Sequence, residues 1–285
     1  MKRLTDSNYW NKTYAKIIKK EIPSSKKKYG IFNSFFKFSK SFLRRFVVEA
    51  YASHLFWNII CPRYLPKGPA KILEVGCAPG SKLIRFAETF GYEPYGIDFS
   101  ESGIEETKNN FILNGFNSSN VFCADFFDDY IISNYKEYFD VVVSMGFIEH
   151  FTEVRQVIER HLQLLREGGV LLISIPNLKG INYLMTYLID KKNLGLHNVN
   201  IMDLKEFISI FQKNNLEKLL CCYYGIFNSG IWVSCGKSDS KLAKVCYRGQ
   251  QVIDYCLMKL IPLEGYENRF ISPYILYIGK KRSNI

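Results

Sequence analysis

With 285 residues and 47% hydrophobic content, the chain has the length for one large domain with appendages and ample apolar mass for a core. No apolar run approaches the roughly 18 residues of a membrane span, the first residues lack the apolar segment of a secretory signal, and eight cysteines without a C-x-x-C pair read as buried free thiols, so a cytoplasmic protein is expected. The net charge of +11 is unevenly placed: residues 1–68 carry 15 Lys/Arg against 3 Asp/Glu, and the remainder carries 23 against 24.

In chain order, Tyr9, Trp10 and Tyr14 open an aromatic stretch, followed by a lysine-rich run (Lys19, Lys20, Lys26, Lys27, Lys28). From 32 to 60, Phe35, Phe38, Phe42 and Phe46 recur at helical spacing with Lys37, Lys40, Arg44 and Arg45 between them, which predicts a basic, aromatic helical cap over a ligand cleft. The same charges suit peripheral contact with an anionic membrane surface, while nucleic acid is disfavoured because no RNA-binding module accompanies them. Pro62, Pro66, Gly68 and Pro69 mark a boundary, dividing an N-terminal cap (1–68) from an α/β domain (69–285).

Regular alternation follows, with strands at 72–76, 94–98, 120–124, 139–145 and 169–175, and helices at 81–91, 101–114, near 129–137 and at 152–166. Strands alternating with helices imply a doubly wound parallel sheet covered on both faces. Beyond Asn177 the spacing predicts helices over 180–195 and, capped by Asp203, over 203–214. Strand-like segments at 216–233 and 271–279 flank an insertion near 236–268 with a helix at 241–260, placed over a substrate or in a dimer contact.

The stretch Ile72–Ser81 (ILEVGCAPGS) delivers a buried strand to a helix N-terminus through a glycine-bearing turn, which is a ligand cradle. Asp98, 22 residues past Gly76, stands at the tip of the next strand, where an acid holds the two hydroxyls of a ribose. A pyrophosphate-binding turn reads G-x-G-x-x-G; here glycines sit at 76 and 80 with Ala78 between them, so a nicotinamide oxidoreductase is poorly supported.

Glu74–Gly80 resembles the first motif of the class I S-adenosylmethionine-dependent methyltransferases, and Gly96–Ser100, Val121–Phe126, Phe139–Phe151 and Leu165–Asn177 resemble the motifs that follow it, with the "EH" turn of the small-molecule branch at Glu149-His150. The resemblance covers residues 70 to 180 and is similar to quinone-biosynthesis-type enzymes. It implies a Rossmann-like, seven-stranded, mostly parallel sheet with a C-terminal antiparallel hairpin, and S-adenosylmethionine as cofactor. It implies that Glu74, Gly76 and Gly80 serve the methionine portion, Asp98 the ribose and Asp125 the adenine, with Asp128 and Asp129 as close alternatives to Asp125, and that Cys77, Ala78, Phe99, Phe126 and Met145 are further cofactor-binding residues.

Among the histidines, His150 and His197 are the candidate bases, with His54 a weaker one and His161 placed in a helix. No metal is expected, because relatives that gather two acids with the "EH" pair carry an acid where Gly146 stands. The absence of N-P-P-Y after the fourth strand and of a Pro-Cys pair disfavours nitrogen and pyrimidine-carbon acceptors. A hydroxyl on a small molecule is the expected acceptor, in a pocket recruiting Tyr183, Tyr187, Tyr223, Tyr224 and Phe227. A sugar or lipid-linked glycan acceptor and a non-catalytic methyltransferase-like binding module are the alternatives, and the oligomeric state stays open.

Overall fold

The computed structural model describes residues 2–21, 50–212, 214–234, 241–259 and 265–283. The expected lysine-rich run beyond Glu21 and the basic aromatic helix up to residue 49 lie outside the described residues. Among the described residues, no helix is long and apolar enough to cross a membrane.

Seven strands form one sheet: β1 (Ala70–Val75), β2 (Tyr92–Asp98), β3 (Val121–Cys123), β4 (Phe139–Met145), β5 (Leu165–Pro176), β6 (Leu216–Tyr224) and β7 (Tyr274–Lys281). Their spatial order is β3-β2-β1-β4-β5-β7-β6. The first five run parallel, and β7 lies antiparallel between β5 and β6, forming the expected hairpin. Successive side chains along a strand point to opposite faces, so the unbroken apolar runs build two cores. Leu73, Val142 and Leu171 pack on one face with helices Val154–Leu164 and Leu204–Ser209. Ile72, Val141, Val143 and Leu172 pack on the other with Ser81–Phe90 and Glu101–Leu113.

Residues 51–64 are helical throughout, with a π-helical stretch Leu55–Ile60 between short α-helices Tyr51–His54 and Cys61–Tyr64. Phe56, Trp57, Cys61 and Leu65 are buried in the second core against Phe86 and Phe90. α1 (Ser7–Glu21) crosses the carboxyl ends of the strands and packs on Glu101–Leu113, where Asn11 accepts from Ser100 Oγ at 2.7 Å. Helix Lys241–Lys259 of the insertion meets this region too: Asp254 accepts from Tyr51 N at 3.1 Å, and Gln250 Oε1 accepts from Ser229 N and Oγ at 2.7 Å each.

Several boundaries differ from expectation for local reasons. β6 ends at Tyr224 rather than 233, because Gly225 takes a φ of +78° and Asn228 then caps a 3-10 turn, Ser229–Trp232. The helix capped by Asp203 stops at Ser209, and helix Ile181–Leu194 is kinked at Asp190. The thiols are not uniformly buried: Cys61 and Cys77 are, Cys123 is exposed, and Cys221, Cys222, Cys246 and Cys256 are half-buried.

Gly225 lets helix Tyr51–His54 approach the end of β6 closely, since a Cβ there would lie 2.4 Å from Ala52 Cβ. Gly225→Ala is expected to lower stability by about 1–3 kcal/mol, combining left-handed strain with the contact on Ala52. Urea unfolding reads this directly, and an unchanged midpoint would contradict the packing described.

Candidate active site

The carboxyl ends of β1, β2 and β4 converge below α1. After β1 the chain turns back on itself: Gly76 N and Cys77 N donate to Ile97 O at 2.8 and 3.2 Å, and Gly80 N donates to Cys77 O at 2.7 Å. Gly76 and Gly80 take φ of +74° and +90°, the left-handed region that suits glycine, whereas Ala78 does not. Gly80 caps helix Ser81–Phe90. Ala78 N donates to Asp98 Oδ2 at 3.3 Å, and its carbonyl accepts from Tyr14 of α1 at 2.9 Å. The Cys77 thiol is buried beneath Gly96, and burial pushes its pKa up, which keeps the thiol protonated.

Asp98 is buried at the tip of β2, with Oδ1 accepting from Ser100 N at 2.9 Å. Backbone N–H groups of Ser100, Ala78 and Phe99 all donate to this carboxylate. Burial pushes its pKa up to about 6, against the backbone donors that stabilise the charge. Gly76, Asp98, Phe99, Asp125 and Phe126 line one cleft of about 580 Å³, including its open mouth, with Arg3, Trp10 and Tyr14 on the opposite wall. Asp125 accepts through Oδ1 from Phe127 N at 2.9 Å and is ion-paired with Arg3.

An adjoining chamber shares Trp10, Tyr14, Gly76 and His150 with that cleft and adds Glu74, Cys77, Ala78, Lys82, Met145, Glu149 and His197. Oε2 atoms of Glu74 and Glu149 are buried without a hydrogen-bond partner. Burial pushes their pKa values up to about 7 and about 8, and the Lys82 ammonium partly offsets this in both. Such orphaned carboxylate oxygens suit a cationic ligand.

His150 sits on the turn Ile148–His150 just past β4, with Trp10 edge-on at 5.4 Å and the His197 ring at 4.8 Å. His150 Nδ1 lies 2.7 Å from Leu196 O and His197 Nδ1 lies 2.7 Å from Asn193 O. A carbonyl can only accept, so both Nδ1 atoms carry protons and both Nε2 atoms hold the lone pair. Burial, aided by His197, lowers the His150 pKa to about 3, and burial lowers that of His197 as well. Donor atoms of Glu149, His150 and His197 lie within 4.8 Å of one another, so the fold brings His197 to a place that the sequence pattern sought at residue 146.

His54 pairs with Asn58 at 3.1 Å, and His161 is fully buried in the core. Of the five expected pocket aromatics, Tyr224 lines a side chamber with Phe56, Trp57 and Lys82, whereas Tyr183 and Tyr187 stand 47% and 44% exposed. Sequence reasoning missed Glu149, Lys82 and Arg3 as parts of this site. Lys82 directly follows the cradle, which is a usable signal; Arg3 had none in a segment full of basic residues.

A glycine cradle, a buried acid at the neighbouring strand tip and two neutral imidazoles in the next chamber define an α/β enzyme built around a nucleoside cofactor. The chain belongs to the methyltransferase domain family, whose model matches residues 50–220. S-adenosylmethionine is the cofactor that the sequence resemblance implies, and a solved structure that shares this fold is an S-adenosylmethionine-dependent methyltransferase. When bound, that cofactor supplies an activated methyl group on a sulfonium. Glu74, Gly76, Cys77, Ala78 and Asp98 line the cleft and chamber in which such a cofactor would be held.

Over 154 residues the chain is 27% identical to the ubiquinone biosynthesis O-methyltransferase of Pelagibacter ubique (strain HTCC1062), covering 52% of this chain and 61% of that protein. The chain thus spans about three fifths of the curated relative it matches. A S-adenosylmethionine-dependent methyltransferase from Archaeoglobus fulgidus shares the fold at a TM-score of 0.52 and 21% identity, over 87% of this chain and 99% of that one. Geranyl diphosphate C-methyltransferase from Streptomyces coelicolor A3(2), solved with Mg2+, geranyl diphosphate and S-adenosyl-L-homocysteine, does so at 0.54 and 13%, over 81% and 77%.

Proposed function

We propose that this enzyme methylates a hydroxyl of a small molecule by direct displacement. The observation that carries the reading is the His150–His197 pair, two neutral imidazoles with Nδ1 tied to carbonyls, in a chamber that opens beside Met145 and the cofactor cradle. Displacement at a sulfonium methyl asks the protein for alignment and, for a hydroxyl, removal of one proton. His150 Nε2 takes that proton, and the Leu196 carbonyl keeps the ring in the required tautomer. The O-methyltransferase name of the Pelagibacter relative supports oxygen as the acceptor atom. Transfer of labelled methyl from S-adenosylmethionine to a panel of phenols, catechols, sugars and amines tests this; labelling of amines with no hydroxyl labelled would overturn it.

The clustering of Glu149, His150 and His197 favours a second reading, in which these three hold a divalent cation that lowers the pKa of the acceptor hydroxyl. The base reading expects full activity after treatment with EDTA. An activity loss of about tenfold or more, restored by a divalent cation, would transfer the assignment to the cation.

We place the enzyme in the cytoplasm, with its lysine-rich N-terminal segment against anionic lipid. We propose that the described residues before Pro69, 2–21 and 50–68, serve as a cap on a methyltransferase domain that begins at residue 69. Pelleting with anionic but not neutral liposomes supports the lipid contact, and no pelleting with either removes it.

A further inference from the structure

The strap that precedes α1 is fixed by backbone pairing. Arg3 bridges Phe151 in antiparallel fashion, Leu4 N donates to His150 O at 2.8 Å, and Thr152 N donates to Lys2 O at 3.3 Å. This anchors the strap to the turn that carries His150 and brings Arg3 to the mouth of the nucleoside cleft.

There the guanidinium lies over three rings, 5.3 Å from the centre of Phe99, 5.5 Å from Phe127 and 5.8 Å from Phe151, and pairs with Asp125. A long cationic side chain held by three π-faces and an ion pair keeps little rotamer freedom. Both Arg3 and Phe127 N engage the same carboxylate oxygen, Oδ1 of Asp125. Oδ2 is thereby left to accept from a ligand.

We propose that Arg3 is a positioning residue for the base of the cofactor. It orients Asp125 so that Oδ2 meets the exocyclic amino group of adenine, and its phenyl cage walls that end of the cleft. This rests on Asp125 as the acid that meets adenine. The chemistry is selective for a donor, because a base with a carbonyl in place of the amino group sets oxygen against oxygen.

The test is calorimetric titration of the full chain with S-adenosylhomocysteine and S-inosylhomocysteine, which differ in that amino-to-carbonyl exchange and in the proton that N1 then carries. Wild type is expected to prefer the adenosyl ligand. Arg3→Ala is expected to lose about tenfold in affinity for it, as for a charge-assisted contact, while the inosyl ligand changes by less than about threefold. Arg3→Lys should keep part of the preference. Asp125→Asn should abolish the preference while the protein still binds both ligands.

Equal losses for the two ligands in Arg3→Ala, or no loss, would overturn the proposal, since a strap that only packs moves both ligands alike. Equal binding of the two ligands by wild type would overturn the reading of Asp125 on which it rests. If Arg3→Ala melts below the assay temperature, Arg3→Lys carries the comparison: an undiminished adenosyl preference in Asp125→Asn, or equal losses in Arg3→Lys, would overturn it.

Discussion

Asp98→Ala is expected to weaken S-adenosylmethionine and S-adenosylhomocysteine binding by at least about 100-fold while the protein stays folded. Two ribose hydroxyls donating to one carboxylate are charge-assisted hydrogen bonds, each contributing about 1.5–3 kcal/mol, and about 1.4 kcal/mol corresponds to tenfold in affinity. The buried site sharpens the expectation, because Asp98 is removed from water and loses little to competing solvent.

The pH dependence follows from the same burial. With its pKa pushed up to about 6, Asp98 is ionised at pH 7 at a cost to folding stability, and that cost is relieved as pH falls through 6. Ligand affinity moves the opposite way: below about pH 6 the carboxyl is protonated in the free enzyme, and the dissociation constant should rise about tenfold per pH unit. Isothermal titration between pH 5 and 8 checks the affinity and urea unfolding over the same range checks the stability, and an Asp98→Ala variant that binds like wild type would remove the ribose role.

His150→Ala is expected to lower turnover by about 10² to 10⁴ with cofactor affinity within about threefold of wild type. The imidazole is neutral throughout the working range, since its pKa is lowered to about 3, so the variant removes a lone pair and not a charge. Its Nδ1 bond to Leu196 O and the edge of Trp10 against its ring give it one orientation. Single-turnover rates at saturating cofactor separate the chemical step from binding. Turnover near wild type would return His150 to a structural role and leave His197 as the base to test.

The parts of the fold that could be read directly are those in which local pattern and tertiary environment agree. Val141–Val143 runs apolar without alternation because both faces of β4 are covered, and the Gly76 and Gly80 positions announce a backbone that only glycine follows easily. Ala78, between the two glycines, has a φ that is not positive, so its side chain costs the turn no strain. The end of β6 is harder to read, since Tyr223 to Phe227 is apolar around Gly225, whose positive φ turns the chain where Ala52 packs close.

The candidate site divides in the same way. Asp98 and His150 follow immediately from strand ends, and motif position places them. His197 reaches its partner through the loop after helix Ile181–Leu194, where Asn198 N donates to Glu149 O at 2.6 Å, a contact that no spacing rule anticipates. Tyr183 and Tyr187 show the converse, because aromatic content in a helix does not tell which face meets the pocket.

Calorimetric titration of the purified protein with S-adenosylhomocysteine and, separately, NADH tests the central claim most directly. Micromolar binding of the adenosyl ligand with no heat from NADH is the result expected for a methyltransferase built on Asp98 and the 76–80 cradle. Binding of NADH, or of neither ligand, would contradict it.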